Sequence, residues 1–373
     1  MKILYVITGL GMGGAETITI DVAQKMLERG HEVAVLYLTG DNLQQHRIKL
    51  QMEIIGLHMK KSPIGFLRAL KQARIYVNMF SPNVVHAQMF HANLFCRILR
   101  LFTRMPFLIC TEHNRNIEGA IRMKLYRLTD CLSDMNTNVS EEATNYFISK
   151  KSFNKEKSKT IYNGVDLSKF IKDDNVRKAI RKEYGILEED FLFINVGRLT
   201  KAKNQETLVK AFFQLKNKGL HVKLLIVGKG PEEEKLKKIV SSFSLKSDCI
   251  FTGIQNNIVD YYNAADCFVL SSLWEGFPMV LIEAMATELP IITTECGREA
   301  VSDNNYIVSA ENSFLLSEKM ESIYNMNLSD RIQLGISNRN HVKRFDINII
   351  CSQWEDIYLS LIHISEPTRH AQI

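Results

Sequence analysis

The sequence lacks the marks of several protein classes. No apolar run approaches the roughly 20 residues needed to span a bilayer. The N-terminal stretch MKILYVITGLGMGGAE has no apolar core followed by a small-residue cleavage site, so no secretory signal is expected. No C-x-x-C pair occurs among the seven cysteines (Cys96, Cys110, Cys131, Cys249, Cys267, Cys296, Cys351). An odd, scattered set in or beside apolar runs predicts reduced core thiols in the cytosol, not disulfides or zinc ligands. No Ser/His/Asp or Cys/His nucleophile arrangement is visible, and Lys172-Asp173-Asp174 reads as a solvated linker rather than a metal site. A nucleic-acid partner is not expected, because no such motif is present and the net charge is only +6.

What is present fits a globular chain of two domains: 373 residues, 46% hydrophobic and 24% charged. The charge is uneven. Over residues 1–170 Lys and Arg outnumber Asp and Glu 23 to 14, whereas over 171–373 they trail 24 to 27. A basic first half suggests an anionic partner. Basic residues interleave with apolar ones in CRILRLFTRMPF (96–107) and IRMKLYRLTD (121–130). Two readings stand: an ordinary helix with a solvated basic face, or contact with an anionic membrane surface.

Periodicity supplies the fold class. The first half alternates short apolar runs (2–7, 32–38, 84–87, 107–110, 135–139, 159–162) with helical patterns such as 15–29, stopped by Gly30. The second half repeats this, with strands at 191–196, 222–227, 249–251, 267–270 and 290–294 and helices at 205–217, 231–243, 258–265 and 278–287. Near-continuous apolar strands between helices predict α/β architecture, each half a doubly wound parallel sheet covered on both faces. The boundary is expected in NGVDLSKF (163–170), separating residues 1–170 from 171–346, with a last helix at 347–361. The tail 362–373 has no apolar period and is expected to be non-native.

Three segments carry chemistry. Gly9, Gly11, Gly13 and Gly14 follow the first strand and open a helix, where free N–H groups and the helix dipole attract phosphate. Gly9, Gly11 and Gly14 also match the dinucleotide pattern G-x-G-x-x-G. However, strand two ends Tyr37-Leu38-Thr39-Gly40, and the ribose-binding acid that the pattern needs comes late, at Asp41. The second segment is Gly197-Arg198-Leu199-Thr200-Lys201-Ala202-Lys203-Asn204, three cations directly after a strand and before a helix, which suits a diphosphate. The third contains Glu275, Gly276, Phe277, Pro278 and Glu283. Pro278 suits the first helical position, and Glu283 lies about 7–8 Å further along the axis, so two carboxylates can reach different parts of one long ligand. The amides of Gly276 and Phe277 lie between them at the positive helix end. His113 follows an apolar strand and sits at a ligand edge, whereas His86 reads as a satisfied core residue.

Together these segments resemble the retaining nucleotide-sugar glycosyltransferases of family 4. The resemblance covers residues 1 to about 361 and rests on GGAE (13–16), TEHN (111–114), YNGVD (162–166), GRLTKAKN (197–204), GKGP (228–231) and EGFPMVLIE (275–283), the last being that family's E-x7-E element. It implies the GT-B fold, two Rossmann-like domains facing a cleft, with the terminal helix crossing back to the first domain. It implies that Arg198 and Lys203 neutralise the donor diphosphate and that Glu283 binds the ribose. Glu275, Gly276 and Phe277 would hold the sugar, and Gly13 and Gly14 would approach the phosphate. His113 would contact the transferred sugar, and Gly253, within Phe251-Thr252-Gly253, would lie beside the base. The implied reaction needs no metal and no cofactor. It retains anomeric configuration by front-face attack, the leaving phosphate oxygen taking the acceptor's proton. The implied partners are a nucleotide-sugar donor and a glycan or lipid-linked acceptor, and the implied setting is cytoplasmic, at the inner membrane face, in cell-surface polysaccharide assembly. Three alternatives stand beside it: a sugar-nucleotide epimerase or hydrolase on the same scaffold, an NAD-dependent oxidoreductase, and a non-catalytic sugar-nucleotide-binding subunit.

Overall fold

The computed structural model describes residues 1–11, 13–114 and 119–365. Residues 1–164 and the chain from 347 onward make one compact unit, and residues 165–346 make the other.

The first unit is built on seven strands: β1 (Lys2–Ile7), β2 (Glu32–Tyr37), β3 (Glu53–Gly56), β4 (Val84–Gln88), β5 (Phe107–Glu112), β6 (Met135–Asn138) and β7 (Ser158–Thr160). All are parallel, in the order β3-β2-β1-β4-β5-β6-β7. Helices α1 (Gly14–Glu28), α2 (Pro63–Phe80), α3 (Phe90–Leu99), α4 (Ala120–Thr129) and α5 (Glu141–Ser149) connect them. Parallel neighbours require such crossovers, because each strand must restart at the opposite end of the sheet. The core packs Leu4, Val6, Ala34 and Leu36 of the sheet against Ala69, Ala73 and Val77 of α2 and Phe95 of α3.

The second unit opens with α6 (Asp174–Glu183) and then repeats the pattern. Its strands are β8 (Phe191–Val196), β9 (Val222–Val227), β10 (Cys249–Gly253), β11 (Cys267–Val269), β12 (Ile291–Thr294) and β13 (Ile307–Val308). The order is β10-β9-β8-β11-β12-β13, again parallel. The connecting helices are α7 (Gln205–Asn217), α8 (Glu233–Ser242), α9 (Ile258–Ala264) and α10 (Met279–Ala286), with α11 (Ser313–Tyr324) and α12 (Leu328–Val342) after the sheet. Strands β3 and β13 are not among those the apolar runs predict, being respectively half-polar and two residues long.

The unit boundary falls within the expected segment 163–170, at its start rather than its end. Val165 through Phe170 belong to the second unit: the Val165 N–H donates to the Phe345 carbonyl at 2.9 Å, and the Arg339 guanidinium donates to the Phe170 carbonyl at 2.7 Å. Two contacts far away in sequence thus claim a segment whose local composition reads as linker. The last helix, α13 (Ile347–Ser365), is longer than expected, so residues 362–365 continue it, and residues 366–373 lie outside the described residues.

Helix α13 packs into the first unit. Trp354 is buried against the His86 ring (centroids 4.5 Å apart) and stacks on Tyr358 at 5.9 Å. At its rim Glu355 pairs with Arg29 and, at 2.7 Å, with His31. Burial of a large aromatic outweighs a half-exposed ion pair. Trp354→Ala should therefore cost about 3–5 kcal/mol and Glu355→Ala about 1 kcal/mol or less. Denaturant unfolding followed by circular dichroism checks this, since Trp354→Ala retains Trp274 as its one tryptophan.

Candidate active site

In the second unit the strand order reverses beside β8: the chain moves from β8 out to β9 and β10, then returns to place β11 on the other flank of β8. Loops leaving the carboxyl ends of β8 and β11 must diverge there, which makes a crevice for a ligand. These two loops are the cationic segment 197–204 and the segment leading to α10.

Hydrogen bonds stitch the loops together. The Leu273 N–H donates to the Ala202 carbonyl at 2.7 Å, and the Ser271 hydroxyl to the Lys203 carbonyl at 2.9 Å. Lys203 Nζ donates to Glu275 Oε1 at 2.6 Å, and the Ser272 hydroxyl donates to the same oxygen at 2.6 Å. Lys203 and Glu275, expected to serve different parts of a ligand, are thus ion-pair partners. The ammonium keeps two further N–H donors for an anion. Arg198 is exposed and has no ion pair among the described residues. Glu283, within α10, is half-buried and accepts from the buried Tyr262 hydroxyl of α9 at 2.9 Å. Burial, then the carboxylate beside it, push the Tyr262 phenol well above its ordinary range, so it remains a donor. Pro278 is the N-cap of α10 rather than its first helical residue. The Phe277 ring turns into the core against Phe345, leaving only its backbone for a ligand.

The GKGP loop after β9 closes tightly on this arrangement. A Cβ at Gly228 would lie 2.1 Å from the Gly197 carbonyl oxygen, and φ there is +134°, so only glycine fits. The Gly228 N–H donates to the Gly253 carbonyl at 2.8 Å. Gly253 ends β10, with β9 between it and β8, so it lies further from the reversal than the other donor candidates.

In the first unit the glycine loop follows β1, and Gly13 is the N-cap of α1 with no capping side chain of its own, while the Glu16 carboxylate bonds its own backbone N–H in the first turn. Neither Gly13 nor Gly14 has positive φ, so conformational freedom is not what glycine supplies. Space is: a Cβ at Gly13 would meet the Glu16 carboxylate at 2.2 Å, and nothing lies within 4 Å of one at Gly14. The only acid near the end of β2, Asp41, is exposed beyond the strand.

His113 directly follows β5. Its Nε2 lies 2.7 Å from the Gln88 amide oxygen, at the end of β4. Burial lowers its pKa to about 4, so the ring is neutral near pH 7. His86 is a buried core histidine held by Tyr358 and Thr111. Sequence reasoning misses several neighbours. Glu112 is buried, accepting from the Tyr126 hydroxyl at 2.7 Å and the His113 N–H at 3.0 Å, and burial raises it to about 7. Arg97 is wholly buried: it donates to Asn136 Oδ1 at 2.7 Å and Thr129 Oγ1 at 2.9 Å and lies over the Tyr126 ring. This removes Arg97 from the basic face expected of segment 96–107, in which Arg104 is exposed. Nothing in local spacing distinguishes Arg97 from a solvated cation, because its partners come from β6 and from the end of α4.

Residues 12–169 match the family described as Glycosyltransferase Family 4, and residues 176–341 match that described as Glycosyl transferases group 1. The chain is a glycosyltransferase of the GT-B class. An uncharacterised glycosyltransferase of Methanocaldococcus jannaschii is 36% identical over 143 residues, 38% of this chain and 35% of that one. A capsular polysaccharide biosynthesis glycosyltransferase of Staphylococcus aureus, CapH, is 27% identical over 371 residues, 96% of this chain and 99% of that one. An Escherichia coli enzyme is 27% identical over 320 residues, 81% of this chain and 80% of that one; it is named as a galactosyltransferase from UDP-Gal to GlcNAc-diphosphoundecaprenol. Among solved structures, Anabaena HepE in complex with UDP and glucose superposes with a TM-score of 0.81 at 21% identity, over 96% of this chain and 100% of that one, a likeness of fold. With both halves matched to glycosyltransferase families, the oxidoreductase and epimerase readings are set aside.

The buried Glu112 carboxyl makes a pH prediction. Its folded pKa, about 7, exceeds the ordinary 4.5, so its contribution to stability is full below 4.5 and is lost as pH rises through 7. Glu112→Gln, a neutral mimic, should flatten that loss. Unfolding free energy measured at pH 5 and pH 8.5 should fall more for wild type than for the variant.

Proposed function

We propose that this chain transfers a hexosyl or N-acetylhexosaminyl group from a nucleotide-diphosphate sugar to a glycan or lipid-linked acceptor, with retention and without metal, in cell-surface polysaccharide assembly. The observation that carries the reading is the constellation at the β8/β11 reversal, where Arg198, Lys203 and Glu275 stand on two loops bonded to one another and Glu283 stands on the helix that follows the second loop. Departure of a diphosphate is the costly event in such a transfer, and fixed cations stabilise the charge that develops. Arg198 and Lys203 take that role, in place of a metal ion. Glu275 holds Lys203 in position and offers its carboxylate to the sugar with the amides of Gly276 and Phe277. Glu283, oriented by Tyr262, accepts from the ribose hydroxyls. Gly253 serves the base. Gly13 and Gly14 face phosphate with open helix N–H groups, and His113 contacts the transferred sugar. The front-face mechanism, in which the leaving phosphate oxygen receives the acceptor's proton, fits a site whose carboxylates are engaged by Lys203 and Tyr262.

Binding of UDP, GDP and ADP, each with and without magnesium, tests this reading. One nucleotide should bind without metal, and Glu283→Ala should weaken it by about 1–3 kcal/mol, the loss of a bonded partner. No nucleotide binding by wild type, or binding that demands magnesium, would overturn it.

The same reading includes an anionic membrane surface as a partner of the first unit. Its support shifts from Arg97 to α2 and the exposed residues beside it. That helix exposes Ile64, Leu67, Ile75 and Met79 among Arg68, Lys71 and Arg74. No Asp or Glu occurs between Glu53 and Glu112. Thr103 donates to Asn78, bringing the exposed Leu101 and Phe102 beside the last turn of α2. The exposed Ile121 and Leu128 of α4 lie among Arg122, Lys124 and Arg127. Among the described residues no helix is long and apolar enough to cross a membrane. A diphospholipid acceptor, such as the E. coli relative's name states, would present its headgroup at such a surface. The chain should sediment with phosphatidylglycerol vesicles and not with phosphatidylcholine ones. Reversing Arg68, Lys71 and Arg74 to Glu should remove more than about 1 kcal/mol per residue.

A further inference from the structure

His113 Nδ1 is buried and has no hydrogen-bond partner among the described residues. A buried ring nitrogen left without a partner costs stability unless something else supplies one. His113 also lines a cavity of about 20 Å³, shared with Ile18 and Thr19 of α1, Gln88, Tyr162 and Asn163. That volume admits one water or one hydroxyl group. The other ring nitrogen is fixed by a chain of bonds that runs through the sheet to α13.

The direction of that chain follows from what each group can do. An amide oxygen only accepts and an amide nitrogen only donates. Gln88 Oε1 lies 2.7 Å from His113 Nε2, so that nitrogen carries the proton. Gln88 Nε2 lies 3.0 Å from His86 Nε2, so His86 accepts there and carries its proton on Nδ1. His86 Nδ1 then donates to the Tyr358 oxygen at 2.7 Å, and the Tyr358 and Tyr5 hydroxyls share a hydrogen bond at 3.2 Å. The Thr111 hydroxyl donates to His86 Nε2 at 2.6 Å and accepts from Thr137 at 2.6 Å. With this orientation of the Gln88 amide, each of the two rings has a defined tautomer. Burial keeps both rings neutral, His86 at about 3 and His113 at about 4.

We infer that Gln88 is a positioning residue that holds His113 in its Nε2–H tautomer, so that the ring offers its Nδ1 lone pair to a hydroxyl group of the substrate. Neutral His113 is then an acceptor that orients a hydroxyl, not a cation that clamps phosphate. Tyr358 of the terminal helix secures the far end of the chain through His86. The substrate half of this inference rests on the proposed transferase reading; the tautomer half does not.

The test uses the full chain with 15N-labelled histidine and two-bond 15N–1H correlation near pH 7.5, His113 being assigned by its loss in His113→Gln. Wild type should show His113 protonated at Nε2 and bare at Nδ1. Gln88→Leu should scramble the tautomer and lower kcat about tenfold while nucleotide affinity stays unchanged. Gln88→Glu keeps an acceptor facing His113 Nε2 and should restore the tautomer. If Gln88→Leu does not fold, Tyr358→Phe, which removes the acceptor of the His86 proton together with the bond to Tyr5, should loosen the His86 and His113 signals together. A wild-type His113 protonated at Nδ1, or at both nitrogens, would overturn the positioning role. A scrambled tautomer with unchanged kcat would overturn the substrate contact. If wild type transfers no sugar, the transferase reading fails while the spectrum still decides the role of Gln88.

Discussion

Parallel pairing is the constraint from which the rest of this structure follows. A parallel strand cannot return through a tight turn, so every connection crosses the sheet and every strand leaves its carboxyl end on one edge. In the second unit that edge gathers the loops after β8, β9, β10 and β11. The reversal of strand order between β8 and β11 then sends two loops apart from one edge, and hydrogen bonds and the Lys203–Glu275 ion pair tie them together. In the first unit the same rule puts the glycine loop, Gln88 and His113 at the ends of β1, β4 and β5, which are neighbours in the sheet. Chemistry-bearing residues meet because topology leaves their loops no other edge.

The polar interior has a different logic. Arg97 and Glu112 are buried near each other's partners, and both touch Tyr126. A buried charge is tolerable only when its hydrogen bonds are nearly all made. Arg97 meets this with side-chain and carbonyl acceptors from the end of α4 and from β6. Glu112 meets it partly by holding its proton up to about pH 7. The cost of these groups in stability is offset by definition, because they fix the place of the residue that follows Glu112, which is His113.

Much of the fold is legible in the sequence because buried parallel strands are apolar throughout, and β1, β2, β8 and β9 match the expected runs closely. The losses have physical causes. Strand β3 is four residues with a charged start, and β13 is two residues, so neither makes a periodic signal. The unit boundary depends on bonds from Phe345 and Arg339, which no local window contains. For the candidate site, the sequence pattern finds the loops but not their internal pairing. Glu275 and Lys203 are separated by a whole strand-helix cycle, so their ion pair is invisible until the sheet closes. Tyr262, Gln88 and Arg97 have no motif of their own, and their partners are what distinguish them.

The terminal helix has a consequence for how this chain is made. The first unit's sheet is complete once residue 160 has been synthesised, yet Trp354 and Tyr358, which cover His86, follow only after the whole second unit. The second unit contains all its own strands between Val165 and Asp346 and can close as soon as it emerges. Synthesis therefore runs opposite to completion: the earlier part waits with an apolar slot open while the later part folds. During that interval the slot beside Tyr5 and His86 is a surface that a holding chaperone can recognise. The last residues of α13 to arrive then end both the exposure and the wait.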